Sequence, residues 1–166
     1  RTKVHQFRLE SAWDISSAKK VNTKTLACEN AILVRGHAIF FREDGKKFYV
    51  DDWKNEAVYE YTLSVPWDIE TLQWSYTLDI SKEQKEVRGI EISRDGKKMW
   101  LVDTARNDIL EYELEKPWEL QSAKFQTFFS LKGISQNTRG IRSRADGLAF
   151  YITSTAQNKI HQFSIR

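Results

Sequence analysis

The sequence predicts an all-β fold, a β-propeller built from four-stranded antiparallel blades, and two observations lead to that prediction. The first is a repeat: the dipeptides Asp44-Gly45, Asp95-Gly96 and Asp146-Gly147 follow one another at intervals of 51 residues. The second is that apolar residues alternate with polar ones at the period of a strand, and no longer segment has the spacing of a helix. Short strands repeated in units of roughly 50 residues are typical of propeller blades. A β-sandwich is the alternative, although sandwiches seldom repeat their sequence strand by strand.

The elements of one unit can be followed from Arg88 to Trp118 and a little beyond. Alternating residues predict a first strand, Asp95-Gly96 predicts a tight hairpin turn, and an apolar run predicts a second strand. A third strand follows a polar turn. Pro117-Trp118 then ends the pattern, because proline cannot donate to a strand ladder. The four predicted strands, A to D, cover residues 90–92, 99–102, 109–114 and 124–131.

The repeat divides a single domain, residues 1–166, into units of approximately 4–57, 58–108 and 109–159, with a partial unit at 160–166. The first unit aligns with the second at an interval of 54 residues, so three extra residues lie between Trp13 and His37. We place them in the loop at 28–34. The chain thus begins with strands C and D, at 4–9 and 19–26, and its last strands are A, B and C, the last of them at 160–165.

The number of units predicts how the ring closes. Three A–B hairpins supply three blades, whereas propellers usually have four to eight. The sequence therefore predicts either a homodimer that closes a six-bladed ring or a fragment of a longer repeat protein. We favour the homodimer, because its closing contact would be the one that already joins blades within the chain. A partner's segment 19–26 could complete the last sheet. The tripeptide His-Gln-Phe recurs at equivalent positions, 5–7 and 161–163, so two C strands compete for one place, and the sequence leaves open which fills it.

Composition narrows the class of protein. The chain has 166 residues, of which 40% are hydrophobic, and a net charge of +3 from 26 basic and 23 acidic residues. Such a chain can bury a core, and its balanced charge argues against a nucleic-acid partner. No apolar run is long enough to predict a membrane span. The single cysteine, Cys28, predicts neither an intramolecular disulfide nor a zinc site, and we expect no cofactor. The compartment stays open.

The repeated pattern resembles that of uncharacterised propeller-like proteins of bacteria and phages, whose blades read Ser-Pro-Asp-Gly, then Tyr-x-Tyr and a Pro-Trp-Asp corner. It is more distantly similar to WD-repeat and NHL-type propellers, but lacks the Gly-His and Trp-Asp pairs of the WD repeat. The resemblance covers nearly the whole chain and implies architecture rather than function, because propellers include binders, scaffolds and enzymes. The residues that carry it are Arg88-Gly89, Ser93, Asp95-Gly96, Tyr112 and Pro117-Trp118.

A group of cations precedes each strand A. Arg88 and Arg139 occupy this position in two units, and Arg35 or His37 occupies it in the first. Strand A lines the central channel of a propeller, so these residues predict a positively charged ring that would concentrate anions. The alternative is structural: each arginine could pair with a carboxylate of the neighbouring blade or pack on an aromatic ring. Recurrence in every unit favours the structural interpretation.

Trp53 and three aspartates are the other candidate ligand-binding residues. Trp53 lies beside Asp51 and Asp52 after strand B, a combination that suits stacking on a sugar ring with hydrogen bonds to its hydroxyl groups. Asp51, Asp52 and Asp103 could instead offer oxygen ligands to calcium, but the third unit has Thr153 and Ser154 there, so no metal site is predicted. Packing of Trp53 on a blade surface is the structural alternative.

The three corner tryptophans, Trp13, Trp67 and Trp118, are expected to pack between blades. The sequence contains no nucleophile elbow, phosphate-binding loop, HExxH motif or paired catalytic carboxylates, so no catalytic residue is predicted. The favoured function is a non-enzymatic binding or structural module that recognises a glycan or an anionic ligand. The alternatives are a scaffold or protein-interaction part of a surface or virion assembly, and a lactonase-like propeller hydrolase.

Overall fold

The computed structural model describes residues 2–28, 31–32 and 35–164, and this part of the chain forms strands joined by turns and three short 3-10 helices. The predicted loop at 28–34 and the end of the predicted strand at 160–165 lie partly outside the described residues. The strands are β1 (Lys3–Leu9), β2 (Ala18–Thr25), β3 (Ala27–Cys28), β4 (Ala31–Ile32), β5 (Ile39–Phe41), β6 (Lys47–Asp52), β7 (Ala57–Leu63), β8 (Leu72–Asp79), β9 (Val87–Ile92), β10 (Lys98–Asp103), β11 (Asp108–Leu114), β12 (Ala123–Ser130), β13 (Thr138–Ser143), β14 (Ala149–Ser154) and β15 (Lys159–Ser164).

The strands form antiparallel sheets in chain order, which confirms the predicted all-β fold class. We call β1-β2 sheet I, the four-stranded β5-β6-β7-β8 sheet II, the four-stranded β9-β10-β11-β12 sheet III and the three-stranded β13-β14-β15 sheet IV. A separate two-stranded hairpin, β3-β4, lies between sheets I and II in sequence. Sheets I, II and III each carry a register shift between equivalent residues, after Gln6, Glu60 and Glu111.

The first strands of successive sheets lie side by side: β9 contacts β5 on one side and β13 on the other. Alternating residues of each sheet face a neighbouring sheet, so the core lies between sheets rather than within one. Between sheets II and III it includes Tyr49, Leu101 and Leu120, all with no exposed surface. Burying each such side chain stabilises the fold by about 1.5–3 kcal/mol relative to leaving it exposed. No described helix is long and apolar enough to cross a bilayer.

In sheets II and III, the corner after the third strand places a tryptophan ring against the glycine of the hairpin turn. Trp67 and Trp118 have positive φ angles of 65° and 68°, and their indoles lie directly over Gly45 and Gly96 of the hairpin turns. A Cβ atom on either glycine would be 2.4 Å or less from the ring. The absence of a side chain at these turns therefore makes room for the indole, and the turns need glycine also for their own positive φ.

The corners end in 3-10 helices, which the sequence did not predict: Ile15–Ser17, Ile69–Thr71 and Leu120–Ser122. Asp14 and Asp68 accept hydrogen bonds from the backbone two residues ahead and so cap the first two of these helices. A helix of three residues is too short to show a periodic pattern, so its only signal is this capping residue.

Within the single chain, the expected packing between blades is found for Trp118 but not for Trp13. Its side chain is 98% exposed, whereas Trp118 stacks on Phe40 of sheet II at a ring distance of 6.2 Å. Trp67 packs mainly on its own sheet, against Phe41 and Gly45, and is half exposed. The glycine under Trp67 or Trp118 lies 22 residues earlier in the chain (67 − 45 and 118 − 96), whereas no described residue covers the indole of Trp13.

Candidate anion-binding site at the inner strands

Trp53 brings together three of the predicted cations. It follows β6, and its ring is parallel to the His37 imidazole, with 2° between the planes and 6.2 Å between the centroids. The Cζ atom of Arg35 lies 5.2 Å from the Trp53 ring centroid, and that of Arg88 lies 6.0 Å from it. These distances are within the range of cation–π attraction. The residues come from the segment before β5, the turn after β6 and strand β9, which the side-by-side arrangement of β5 and β9 brings together.

Arg139 extends this cluster from β13. The backbone oxygen of Arg139 would lie 2.6 Å from a Cβ at Gly89, so β9 and β13 approach each other closely here because Gly89 has no side chain. The pKa of His37 is lowered by partial burial first, and then by the positive charges of Arg88 and Arg139. His37 is consequently neutral at pH 7. All four predicted cationic positions thus contribute to one electrostatic environment.

Charge in this cluster is only partly compensated. Glu86, which the sequence did not single out, forms an ion pair with Arg88 and accepts a hydrogen bond from its Nε atom at 2.7 Å. No described carboxylate lies within ion-pair distance of Arg35 or Arg139. The cluster therefore holds three guanidinium groups against one surface carboxylate. Arg35 and Arg139 are therefore the members of the cluster whose guanidinium groups could each donate paired N–H groups to a negatively charged ligand.

The buried Asp51 side chain holds the backbone at His37 in place. One of its carboxylate oxygens accepts hydrogen bonds from the backbone N–H groups of His37, at 2.8 Å, and Ala38, at 2.6 Å. The side chain is fully buried, and burial raises the pKa of Asp51 to about 7. The carboxylate is therefore a support for the segment before β5. It does not face solvent, where a sugar hydroxyl could reach it.

Asp52 and Asp103 occupy equivalent positions at the ends of β6 and β10 and are also fully buried. Asp52 accepts hydrogen bonds from Lys54 and Asn55 in the following turn. Asp103 accepts from four backbone N–H groups, those of Lys85, Glu86, Ala105 and Arg106, at 2.8–3.3 Å. Within the described residues no three His, Cys, Asp or Glu side chains group as a candidate metal site. The geometry of Asp103 is that of a turn-stabilising carboxylate.

Trp53 itself is half-buried, and its Nε1 atom is buried with no hydrogen-bond partner among the described residues. Arginine side chains and His37 lie over its ring. Trp53 is thus placed to orient the guanidinium groups, and a sugar that stacked on the ring would have to displace them. The arrangement favours recognition of an anion by the arginines over direct stacking on Trp53.

Solved structures with the same fold support the propeller class. A "putative 6-phosphogluconolactonase" from Bacteroides uniformis aligns with a TM-score of 0.63 and 13% identity, over 96% of this chain and 46% of that one. A protein from Lactobacillus plantarum aligns at 0.66 and 15%, over 99% and 48%. The Cps50 (Swd1) β-propeller domain of Myceliophteria thermophila aligns at 0.62 and 9%, over 87% and 43%.

At these identities the alignments show the fold alone. The chain is an all-β protein of β-propeller architecture, and it spans less than half the length of the structures it matches. No protein-family model and no curated protein sequence matches it.

Proposed function

We propose that this chain is a non-enzymatic binding module that recognises an anionic ligand, in particular a sugar that carries a phosphate or carboxylate group. The observation that supports the proposal is that Arg35 and Arg88 lie against Trp53 and that Arg88 and Arg139 both act electrostatically on His37, while no described carboxylate forms an ion pair with Arg35 or Arg139. Arg88 and Arg139 are partly buried, which strengthens their attraction for an anion, while Arg35 is exposed.

The cluster is also preorganised. Trp53 restrains Arg35 and Arg88 by cation–π contact, Glu86 holds the Arg88 side chain, and Asp51 ties down the backbone at His37. Side chains that are already ordered lose less entropy when a ligand binds. A planar guanidinium can donate two parallel hydrogen bonds to a phosphate or carboxylate, which a lysine cannot do.

Isothermal titration with 6-phosphogluconate tests the proposal, with glucose as the uncharged control ligand. We expect 6-phosphogluconate to bind and glucose not to bind measurably. Arg139→Ala should raise the dissociation constant by about tenfold or more, the effect of losing a charged hydrogen bond. Arg144→Ala is the matched control, because Arg144 is an exposed arginine in the turn between β13 and β14 that pairs with Asp146, and it should leave binding unchanged. Equal effects of the two substitutions would contradict the proposed site.

Binding of sulfate should depend on pH through His37. Burial and the nearby arginines lower the pKa of His37 from 6.5, so the imidazole is neutral at pH 7 and gains a positive charge only in more acidic solution. Sulfate keeps its charge across this range. We therefore expect its affinity to rise as the pH falls below 6.5 and His37 becomes protonated, by roughly three- to tenfold once protonation is complete, as one added charge about 6 Å away would produce. His37→Ala should abolish the rise, and an unchanged pH profile in that variant would contradict the assignment.

Lactone hydrolysis is the second candidate, favoured by the names of two similar structures, from Bacteroides uniformis and Bacteroides fragilis. Asp51 is fully buried and engaged with backbone N–H groups, and Glu86 is paired with Arg88, so both carboxylates are poorly placed to activate water. We expect 6-phosphogluconolactone to hydrolyse in the presence of the protein at its spontaneous rate. Acceleration that Arg139→Ala removes would establish the enzyme instead, and absence of any ligand binding would favour the scaffold.

We also propose that two copies close a six-bladed ring, and that the repeat boundaries are those predicted from the sequence. Supporting this, sheets II and III are complete four-stranded units, while sheets I and IV have two and three strands. Matched structures are about twice as long as this chain. A homodimer would thus have about the length of one such protein.

A further inference from the structure

The corner at Trp13 and the hairpin turn at Gly147 are two halves of one motif, and each is unmatched. Trp67 covers Gly45 and Trp118 covers Gly96, but Trp13 is 98% exposed. Gly147 has the φ of the covered glycines, 74°, and a Cβ atom added to it would meet nothing within 4 Å. A cleft of about 280 Å³ lies over it, lined also by Ser93, Trp100 and Asp146.

The residue two positions after each corner tryptophan shows the same contrast. Ile69 and Leu120 are 2% and 0% exposed, because each is inserted between its own sheet and the preceding one. Ile15 occupies the equivalent position after Trp13 and is 81% exposed. An isoleucine that begins a capped 3-10 helix and points into solvent is an unpartnered counterpart of two core residues.

A second cleft, between sheets III and IV, is the equivalent of the place that Leu120 fills. Leu120 packs with Tyr49 and Val58 of sheet II and Tyr112 of sheet III. The residues one repeat of 51 further on, Trp100, Ile109 and Phe163, line an apolar cleft of about 200 Å³ together with Phe129 and Glu111. The cleft is open where the sheet II–sheet III interface is filled.

Sheet III also carries the polar residues that would contact the docked corner. In the filled interface, Lys47 pairs with Glu60 at 2.7 Å and donates to the Trp118 carbonyl at 3.0 Å, while Glu60 accepts from the Leu120 N–H at 2.7 Å. Lys98 and Glu111 form the equivalent pair at 2.5 Å in sheet III.

The Lys98 side chain is 50% exposed, against 9% for that of Lys47. Lys98 therefore has donors free for a corner carbonyl and for the acidic residue that follows the tryptophan, which in the first corner is Asp14. In the filled interface the residue at that position, Glu119, accepts from Lys47 at 2.7 Å.

We propose that the corner 13–15 of a second copy of this chain docks on sheets III and IV, with its Trp13 on Gly147 and its Ile15 in the cleft beside Trp100. The two copies exchange corners about a two-fold axis, so each contact is made twice. The inference rests on the homodimer proposed above and is independent of the anion site.

The docking also decides which of the two C strands, β1 of the partner or β15, completes sheet IV. The corner follows β1 directly, so β1 of the second copy must pair with β14 where β15 pairs now. The exchange would place nearly the same side chains beside β14, since residues 3–7 read Lys-Val-His-Gln-Phe and residues 159–163 read Lys-Ile-His-Gln-Phe. Among the described residues, β1 is followed by a corner and β15 is not, so β1 is the strand that can bring Trp13 and Ile15 to the two clefts. We therefore assign the place to β1 of the partner and expect β15 to be displaced.

Sedimentation equilibrium of the purified chain and its variants tests the docking. The wild type should be a dimer, and Ile15→Asp should raise the dimer dissociation constant about 30-fold or more, the loss expected for a central interface residue. Val65→Asp is the matched control, because Val65 is an exposed apolar residue at the corner of sheet II, and it should leave the dimer intact. In the dimer, amide hydrogen exchange at 159–164 should be fast.

A pair of glycine substitutions separates docking from folding. Gly147 and Gly133 both have positive φ angles, 74° and 79°, and a Cβ atom added to either would meet nothing within 4 Å. Gly147→Ala and Gly133→Ala should therefore strain the monomer equally, and circular dichroism should show both folded. Only Gly147→Ala would collide with Trp13 of a partner, so only this variant should lose the dimer.

The possible outcomes test the homodimer and the docking contact separately. A wild-type chain that is folded and monomeric at all concentrations overturns the dimer and the docking together. A dimer that neither Ile15→Asp nor Gly147→Ala weakens overturns the docking contact while leaving the homodimer. Neither result bears on anion binding by Arg139, which titration with 6-phosphogluconate measures separately.

Discussion

Glu60→Ala is expected to lower the free energy of unfolding by about 3–5 kcal/mol, the usual cost of removing one partner of a buried ion pair. Glu60 is 2% exposed, pairs with Lys47 at 2.7 Å, and accepts hydrogen bonds from Ser75 and from the backbone of Leu120. The substitution leaves the Lys47 ammonium group buried with only its contacts to the corner of sheet III. Urea denaturation at fixed protein concentration measures the loss.

Glu119→Ala is the matched control for this prediction. Glu119 contacts the same Lys47 nitrogen at the same distance of 2.7 Å, but its side chain is 47% exposed. Solvent screens that pair, so we expect a loss of only about 0–1 kcal/mol. Similar losses for the two substitutions would show that burial does not decide the strength of these contacts, and would contradict our description of how sheets II and III are joined.

Asp103→Ala should be the next most damaging substitution, with a loss of about 3 kcal/mol, because a charged acceptor leaves four backbone N–H groups without their partner. Those groups belong to Lys85, Glu86, Ala105 and Arg106, on either side of β10 in the sheet. The loss should be the same in calcium and in a chelator. A loss seen only with calcium present would instead support the cation-ligand interpretation of this aspartate.

Asp79→Ala provides the comparison for Asp103→Ala. Asp79 is an exposed aspartate at the end of β8 that accepts a backbone hydrogen bond from Ser81 at 2.9 Å. Water can replace this contact, so we expect a loss of about 0.5–1 kcal/mol. The difference between the two variants should equal the contribution of burial and of the additional donors at Asp103.

Strands were predictable from the sequence because side chains alternate between the two faces of each sheet. The predicted strand 109–114 is β11, Asp108–Leu114, and the predicted strand 124–131 is β12, Ala123–Ser130. The Asp95-Gly96 turn joins β9 to β10, since a glycine with φ of 74° suits a hairpin turn. The sheet order within each unit follows from such short connections, which leave sequential strands as neighbours.

The corners were less predictable because their geometry depends on contacts between sheets. Repetition of the tryptophan predicts a shared role, but the burial of Trp118 depends on Gly96 below it and Phe40 beside it. Trp13 has the same local sequence without these neighbours and lies in solvent. A residue's environment in a repeat is therefore set by the adjoining units as much as by its own.

The candidate site was predicted as two separate groups, and the structure describes one. Arg35, His37 and Arg88 precede strands A, while Trp53 follows a strand B, and nothing in their spacing shows that they meet. Their contact arises because β5 and β9, the first strands of sheets II and III, lie side by side. Glu86 was missed, although its position two residues before Arg88 on the same face of an extended segment was a usable signal.

Anion binding among these arginines is tested most directly by an NMR titration of the His37 imidazole with and without saturating 6-phosphogluconate. In the free protein its pKa should lie below 6.5, because of burial and the charges of Arg88 and Arg139. A bound anion neutralises those charges and favours the protonated ring, so the pKa should rise on saturation. A His37 pKa that is the same with and without the ligand would show that no anion binds among these arginines.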